Sequence, residues 1–415
     1  MKFEKSFLKW PRIKKMNIWI INHYARAPWL GRPGRPWYMA EEFVKHGHSV
    51  TIITANHQWK AEETNAREFF KPIEYKKVSW VWIPVLKLKG GAINRLINML
   101  GFRFRIPKLF KLVQSQLLKK PDLIIASSVH PFVHPPSYKL AKKFNAKYIF
   151  EVRDLWPLTL IEMGGYSRWN PLILWMSQIE KHAYRNSDKV VSPLPNAHKY
   201  MVTKGLLKEN FSWISNGFSE NKMIETLKYK EHALTRTISR VKLDGRKILI
   251  YAGALSLAND MQKIFENPIQ DLLQNQGWSL IIVGNGDEKQ KLIERKEIEN
   301  QKDIYFFDFV EQGVLYPAMS QCDAGLIILK DLEIYQYGTS LNKFYDYLQC
   351  NLPILFVGSL EGNPVQFEKV GWCAKPGSKV EISNGYEFAK NISMAKGNYS
   401  WVCLGERYDQ VVKGS

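Results

Sequence analysis

Three groups of residues in this sequence have the types and spacing to do chemistry. Ser340, Asn342, Lys343 and Asp346 lie in residues 337–355, where a polar loop runs into a short helix. Phe344, Tyr347 and Leu348 fall on one helical face, Asn351 stands where a left-handed cap would sit, and Pro353 ends any continuation. Such a loop points free backbone N–H groups at an incoming anion, and Lys343 adds positive charge there. Asp346, one turn in, is placed to accept hydrogen bonds from a pair of hydroxyls such as a ribose offers. The second group is His130 with His134, just past an apolar run at 121–126. An imidazole at a strand end can orient or deprotonate a hydroxyl. The third is Arg153 and Asp154, a charged pair just past residues 147–152, readable as an ion pair or as part of a catalytic edge.

These side chains need elements to hold them. Residues 16–21 read as a buried strand, 22–36 as a loop rich in Gly, Pro and Arg, 36–46 as a helix stopped by Gly47, and 49–54 as a second strand. Strand, loop, helix, strand is a βαβ unit, and its parallel sheet binds ligands beyond the carboxyl ends of the strands. The loop holding Gly31, Gly34 and Arg35 falls at such an end. Further strands are expected at 80–85, 121–126, 147–152 and 189–192. A second series follows at 247–251, 279–283, 304–309, 324–329 and 353–357. The fold class is therefore α/β, with two Rossmann-like domains. Their expected bounds are 16–218 and 219–397, with a closing helix at 398–415 and the polar stretch 219–244 as the connection. Neither half has a G-x-G-x-x-G fingerprint with an acid about 20 residues on, which argues against NAD.

Charge narrows the partners. The 415 residues carry 59 Lys and Arg against 39 Asp and Glu, a net charge of +20, so an anionic partner is expected. Residues 75–121 contain no acid and eleven basic residues, interleaved with Leu, Ile, Phe and Met. Arg95, Arg103, Arg105, Lys108 and Lys111 flank apolar faces in that stretch, a pattern suited to an anionic membrane surface. Nucleic acid is not expected, because no recognition module is present. No apolar run reaches membrane-spanning length and no signal peptide is evident, so a cytoplasmic protein peripheral to the inner face of the cell membrane is expected. The four cysteines show no metal spacing and read as reduced thiols. His46 and His48 read as surface histidines rather than a metal pair, and Trp29, Trp37 and Trp156 as candidate sugar-stacking rings.

Gly31-x-x-Gly34-Arg35, Gly47-His48-x-Val50-Thr51, Arg153-Asp154-Leu155-Trp156-Pro157 and Asn216-Gly217 occur in order through the first half. Tyr251-Ala252-Gly253, Val283-Gly284-Asn285-Gly286, Ala324-Gly325 and Ser340-x-Asn342-Lys343-x-x-Asp346-Tyr347 follow in the second. In order and spacing these resemble the GT-B glycosyltransferases, most of all the retaining family 4 group that includes builders of bacterial O-antigen, capsule and colanic-acid-type polysaccharides. The resemblance implies a nucleotide-diphosphate sugar held by the second domain, with Asp346 on the ribose and Ser340, Asn342 and Lys343 along the diphosphate. It further implies that Gly253 and Gly284 let the donor approach the backbone, and that Gly31 and Gly34 close over it. His130 matches the family's catalytic-region histidine. The family's first acid of E-x7-E falls at Gly338. The first domain would take a lipid-linked saccharide acceptor. No D-x-D pair is present, so neither a metal nor a cofactor is expected. Two rival readings are a nucleotide-sugar epimerase of the same fold and a non-catalytic membrane-associated scaffold.

Overall fold

The computed structural model describes residues 15–31, 33–56, 69–86, 91–219, 231–256, 259–382 and 385–414. The first sheet has the order β3-β4-β2-β1-β5-β6-β7-β8. Its strands are β1 (Asn17–Ile21), β2 (Ser49–Ala55), β3 (Ile73–Tyr75), β4 (Val78–Ile83), β5 (Leu123–Ser128), β6 (Lys147–Val152), β7 (Lys189–Ser192) and β8 (Phe211–Trp213). Only β3 runs antiparallel to its neighbour. The strands are nearly continuous apolar runs, as a parallel sheet covered on both faces requires. The chain winds one way from β1 to β2 and the other way from β1 to β5, so the switch point lies between β1 and β5. His23 follows one of those strands and His130 the other.

The second sheet is parallel, ordered β11-β10-β9-β12-β13-β14. It comprises β9 (Lys247–Ala252), β10 (Trp278–Val283), β11 (Ile304–Phe307), β12 (Ala324–Ile328), β13 (Ile354–Val357) and β14 (Gly371–Ala374). Its switch point lies between β9 and β12, beside the start of the helix Asn342–Gln349. Tyr347 from that helix is fully buried, and its hydroxyl bonds the backbone of Ala252, Ile250 and Leu326.

Part of the polar stretch 219–244 is not a connection: the helix Ala233–Leu243 buries Leu234, Ile238 and Val241 on the second sheet. Between β9 and β10 the chain forms two short helices, Met261–Phe265 and Ile269–Asn275, parted at Pro268, which has no N–H to give. The closing helix, Trp401–Lys413, returns to the first domain. Trp401, Leu404, Tyr408 and Val412 pack into the core containing Phe43 and Trp37. His48 is no surface residue either. Its Nε2 lies 2.9 Å from Asp409 of that helix, and its Nδ1 accepts from the backbone N–H of Met16.

The chain crosses between domains at 214–219 and again at 399–401, and the two crossings lie side by side. Phe218 N–H donates to Tyr399 carbonyl at 3.2 Å, and Trp401 N–H to Phe218 carbonyl at 3.1 Å. A Cβ on Gly217 would collide with the Tyr399 carbonyl, so glycine is required where the strands touch.

Candidate active site

A cleft of about 770 Å³ opens where the carboxyl ends of the first sheet meet the second domain. Arg26, Gly34, Arg35, Arg95, Arg153 and Trp156 line it from the first domain and Asn342 from the second, with Asn216 and Gly217 of the crossing between them. Its described lining thus includes four arginines and no acid. A smaller crevice of about 280 Å³ adjoins it, shared by Arg153, Asp154, Ser340 and Asn342.

Gly34 is the N-cap of the helix Arg35–Lys45, with extended backbone, and a Cβ there would meet only Pro36 at ordinary contact distance. Gly31 has φ +130°, a conformation that favours glycine. Arg35 is buried: its Nε lies 3.0 Å from Glu151 Oε2, and its Nη1 donates to the Ser215 carbonyl and Asn216 Oδ1. It therefore ties the first sheet to the crossing, and most of its hydrogen-bonding capacity is already committed. Ser127 donates to the other oxygen of Glu151 at 2.6 Å. These contacts and the neighbouring Arg153 outweigh desolvation and hold the Glu151 carboxyl below its usual range. Asp154 opens to solvent at the crevice, yet surrounding protein pushes its carboxyl upward, with Arg153 pulling the other way.

His130 does not face the cleft. It is buried beneath it, and desolvation lowers its pKa to about 3. It is thus a neutral imidazole that can exchange hydrogen bonds, and too weak a base to deprotonate a hydroxyl near neutral pH. His134 lies deeper, between Tyr148 and His182.

In the second domain, Ser340 Oγ lies 3.0 Å from Tyr345 hydroxyl and accepts from Asn216 N–H at 3.3 Å. Lys343 Nζ donates to Asn259 Oδ1 at 2.9 Å over the ring of Tyr251, and burial lowers its pKa to about 8. Asp346 accepts from Tyr316 hydroxyl at 2.7 Å. The glycines do not open the space expected of them. A Cβ on Gly253 would strike Lys343, and one on Gly284 the Gly253 carbonyl, so both serve close packing of this domain's own chain. Gly338 has φ +97°, and a side chain there would strike Pro195 of the first domain, which accounts for the missing acid.

The structure thus gathers Gly34, Arg35, Arg153, Asp154, Ser340 and Asn342 around two adjoining openings. Lys343, Asp346 and His130 line neither. Arg95, grouped in sequence with the membrane-facing cations, lines the cleft. Trp156 lines it as well. Trp37 is instead buried against Trp80, and Trp29 packs on Tyr75. Sequence reasoning missed Glu151, whose two oxygens hold Arg35 and Ser127 beneath the cleft.

Residues 37–222 match the model of Glycosyltransferase Family 4. That stretch takes in most of the first domain and stops before the second sheet. No curated protein sequence matches the chain. Among solved structures the chain is similar to HepE of Anabaena in complex with UDP-glucose, with TM-score 0.63 and 11% identity over 96% of this chain and 100% of that one. It is similar also to an alpha,alpha-trehalose 6-phosphate synthase of Burkholderia multivorans, with TM-score 0.66 and 10% identity over 97% and 99%. A third likeness is to WaaG, a glycosyltransferase of lipopolysaccharide biosynthesis, with TM-score 0.58 and 11% identity over 96% and 100%. The two domains together form the GT-B fold.

Proposed function

We propose that this protein transfers a sugar from a nucleoside-diphosphate donor to a hydroxyl of a lipid-linked saccharide, in surface polysaccharide synthesis. The observation that carries the reading is the cleft between the two domains, lined by Arg26, Arg35, Arg95 and Arg153 with no carboxylate among its described lining residues. A leaving diphosphate gathers negative charge as the glycosidic bond breaks. Guanidinium groups preorganised in a partly dry site stabilise that charge. The proposal needs no metal for this step. Asp154 lines the smaller crevice beside Arg153, which lines both openings, and orients the acceptor hydroxyl. In a retaining reaction the departing phosphate oxygen takes that hydroxyl's proton, so no strong protein base is required. HepE, which shares the fold, binds UDP-glucose, and this makes a uridine nucleotide the first donor to try.

The lipid-linked acceptor is supported by the helix Ala92–Arg105. Ile93, Ile97 and Phe104 are 74%, 41% and 68% exposed and stand at i, i+4 and i+11, one stripe of the helix. Beside Phe104 a shallow groove of about 300 Å³ is lined by Pro107, Phe110 and Leu140, with Arg103, Lys139 and Lys143 at its edges. An apolar stripe beside cations suits the interface of an anionic bilayer. Among the described residues no helix is long and apolar enough to cross a membrane.

Thermal-shift measurements against UDP, GDP, dTDP, CMP and NAD test the donor. A nucleotide at 100 times its dissociation constant adds about 2.7 kcal/mol. Stabilisation by one nucleoside diphosphate, weakened in Arg95→Ala, supports the reading. Silence toward all five would favour the scaffold reading.

A further inference from the structure

A third opening, of about 180 Å³, lies where the two domains touch. It shares Pro193, Tyr335, Gly338 and Thr339 with the smaller crevice, and no residue with the cleft of four arginines. Pro193, Pro195 and Trp213 wall it from the first domain, and Tyr335, Glu361 and Phe367 from the second. Among its lining residues, Asn196 donates its N–H to the Tyr337 carbonyl at 3.0 Å, a direct bond from one domain to the other.

The polar ends of three of its rings are already in use. Trp213 Nε1 donates to the Pro193 carbonyl at 3.1 Å, Tyr399 hydroxyl donates to Glu368 at 2.7 Å, and Tyr345 hydroxyl lies 3.0 Å from Ser340 Oγ. What these rings have left for a ligand is carbon. Trp213 and Phe367, one from each domain, are exposed. Hydrogen-bonding groups stand among the rings. Asn196 does not spend its side chain on capping the helix Ala197–Thr203. Thr339 is more than nine-tenths buried, and its hydroxyl has no partner among the described residues. Buried hydroxyls are normally paired, and this exception belongs to a residue in the wall of a pocket. Charge sets the pocket apart again. In a chain of net charge +20, its described lining has no Lys, Arg or His and a single acid, Glu361. A phosphate or carboxylate finds no counter-charge there.

We infer that this pocket is an accessory site for one neutral sugar ring, held between Trp213 of the first domain and Phe367 of the second. A sugar has C–H faces that suit aromatic carbon and hydroxyl edges that suit Asn196, Gln336 and Thr339. The volume agrees with a single ring, being below the roughly 300–1,000 Å³ of pockets that take drug-sized ligands. Because the pocket and the crevice share a wall, a saccharide of several units can run from one into the other. That last step rests on the sugar-transfer reading above, whereas the ligand class of the pocket does not.

Saturation-transfer NMR on the full-length protein tests the site, with glucose, galactose and N-acetylglucosamine at millimolar concentrations against glucuronate and glucose 1-phosphate. At least one neutral sugar should show transfer and the two anions none in the pocket. Phe367→Ala and Trp213→Ala should each weaken the neutral sugar about tenfold, the worth of one aromatic contact, while Arg95→Ala leaves it unchanged. Phe367 is exposed, so its variant decides even where Trp213→Ala fails to fold. Silence from every neutral sugar would overturn the inference. So would a signal that survives Phe367→Ala but is lost in Arg95→Ala, which would put the sugar in the cleft, or an anion signal lost in Phe367→Ala. A neutral sugar bound here by a protein that binds no nucleotide would defeat the transfer reading and leave this site standing.

Discussion

Arg95 and Arg103 are near neighbours in sequence, yet one lines the cleft and the other sits 5.2 Å from the Trp175 ring at the edge of the outer groove. Their substitutions should therefore separate two functions. Arg95→Ala should raise the KM for the donor about tenfold, the worth of one charge-assisted hydrogen bond, with vesicle binding unchanged. Arg103→Ala combined with Lys139→Ala and Lys143→Ala should weaken pelleting with anionic vesicles and leave donor KM alone. The buried imidazoles make a prediction about acid. His130 and His134 are both lowered to about 3 by burial, with His182 and Arg103 adding to the effect on His134. The unfolded chain takes up these protons below about pH 6.5 while the folded one refuses them. Their contribution is thus intact above pH 6.5 and lost as pH falls, at roughly 1.4 kcal/mol per histidine per pH unit. Urea unfolding at pH 7 and pH 5 checks this, and His134→Phe should flatten the difference. Lys343 behaves in the same direction at the other end of the scale. Its lowered value means that stability should rise between about pH 8 and 10, and Lys343→Met should remove that rise. At this scale sequence reasoning located charges at strand ends well. It could not tell which were already spoken for. The pairing of Arg35 with Glu151 spans 116 residues, and no local pattern announces it.

Among the elements, parallel strands were the easiest to read, because burial on both faces writes them as unbroken apolar runs. The helix Ala233–Leu243 was hidden by its composition. Its buried positions are three or four apart, and Arg and Lys between them made the segment look like a linker. The helix Trp401–Lys413 was visible, but its destination was not, since that depends on where the chain doubles back. Its hold on the first domain includes the buried contact between His48 and Asp409. Asp409→Ala should cost about 2 kcal/mol, as expected for a lost hydrogen bond to a charged group, readable as a lower urea midpoint. The loop before Asn342 carries a further prediction. Gly338→Ala should destabilise by more than about 1 kcal/mol, because the position has φ +97° and is pressed against Pro195. Restoring an acid at 338 should therefore harm the protein and not improve it.

In the whole molecule, Arg35, Glu151, Asn216 and Ser340 make one hydrogen-bonded run from the first sheet through the crossing to the second domain. Asn216→Ala should loosen that run, and kcat and donor KM should change together, as they do when hinge residues are altered. The double crossing has another consequence, in the order of synthesis. The first sheet is made early, but the helix that covers Phe43 and Trp37 leaves the ribosome only after every strand of the second domain. Domains made first usually finish folding first. Here the second domain is whole while the first still shows an apolar face, and the earliest part of the chain to be made is the last to be sealed.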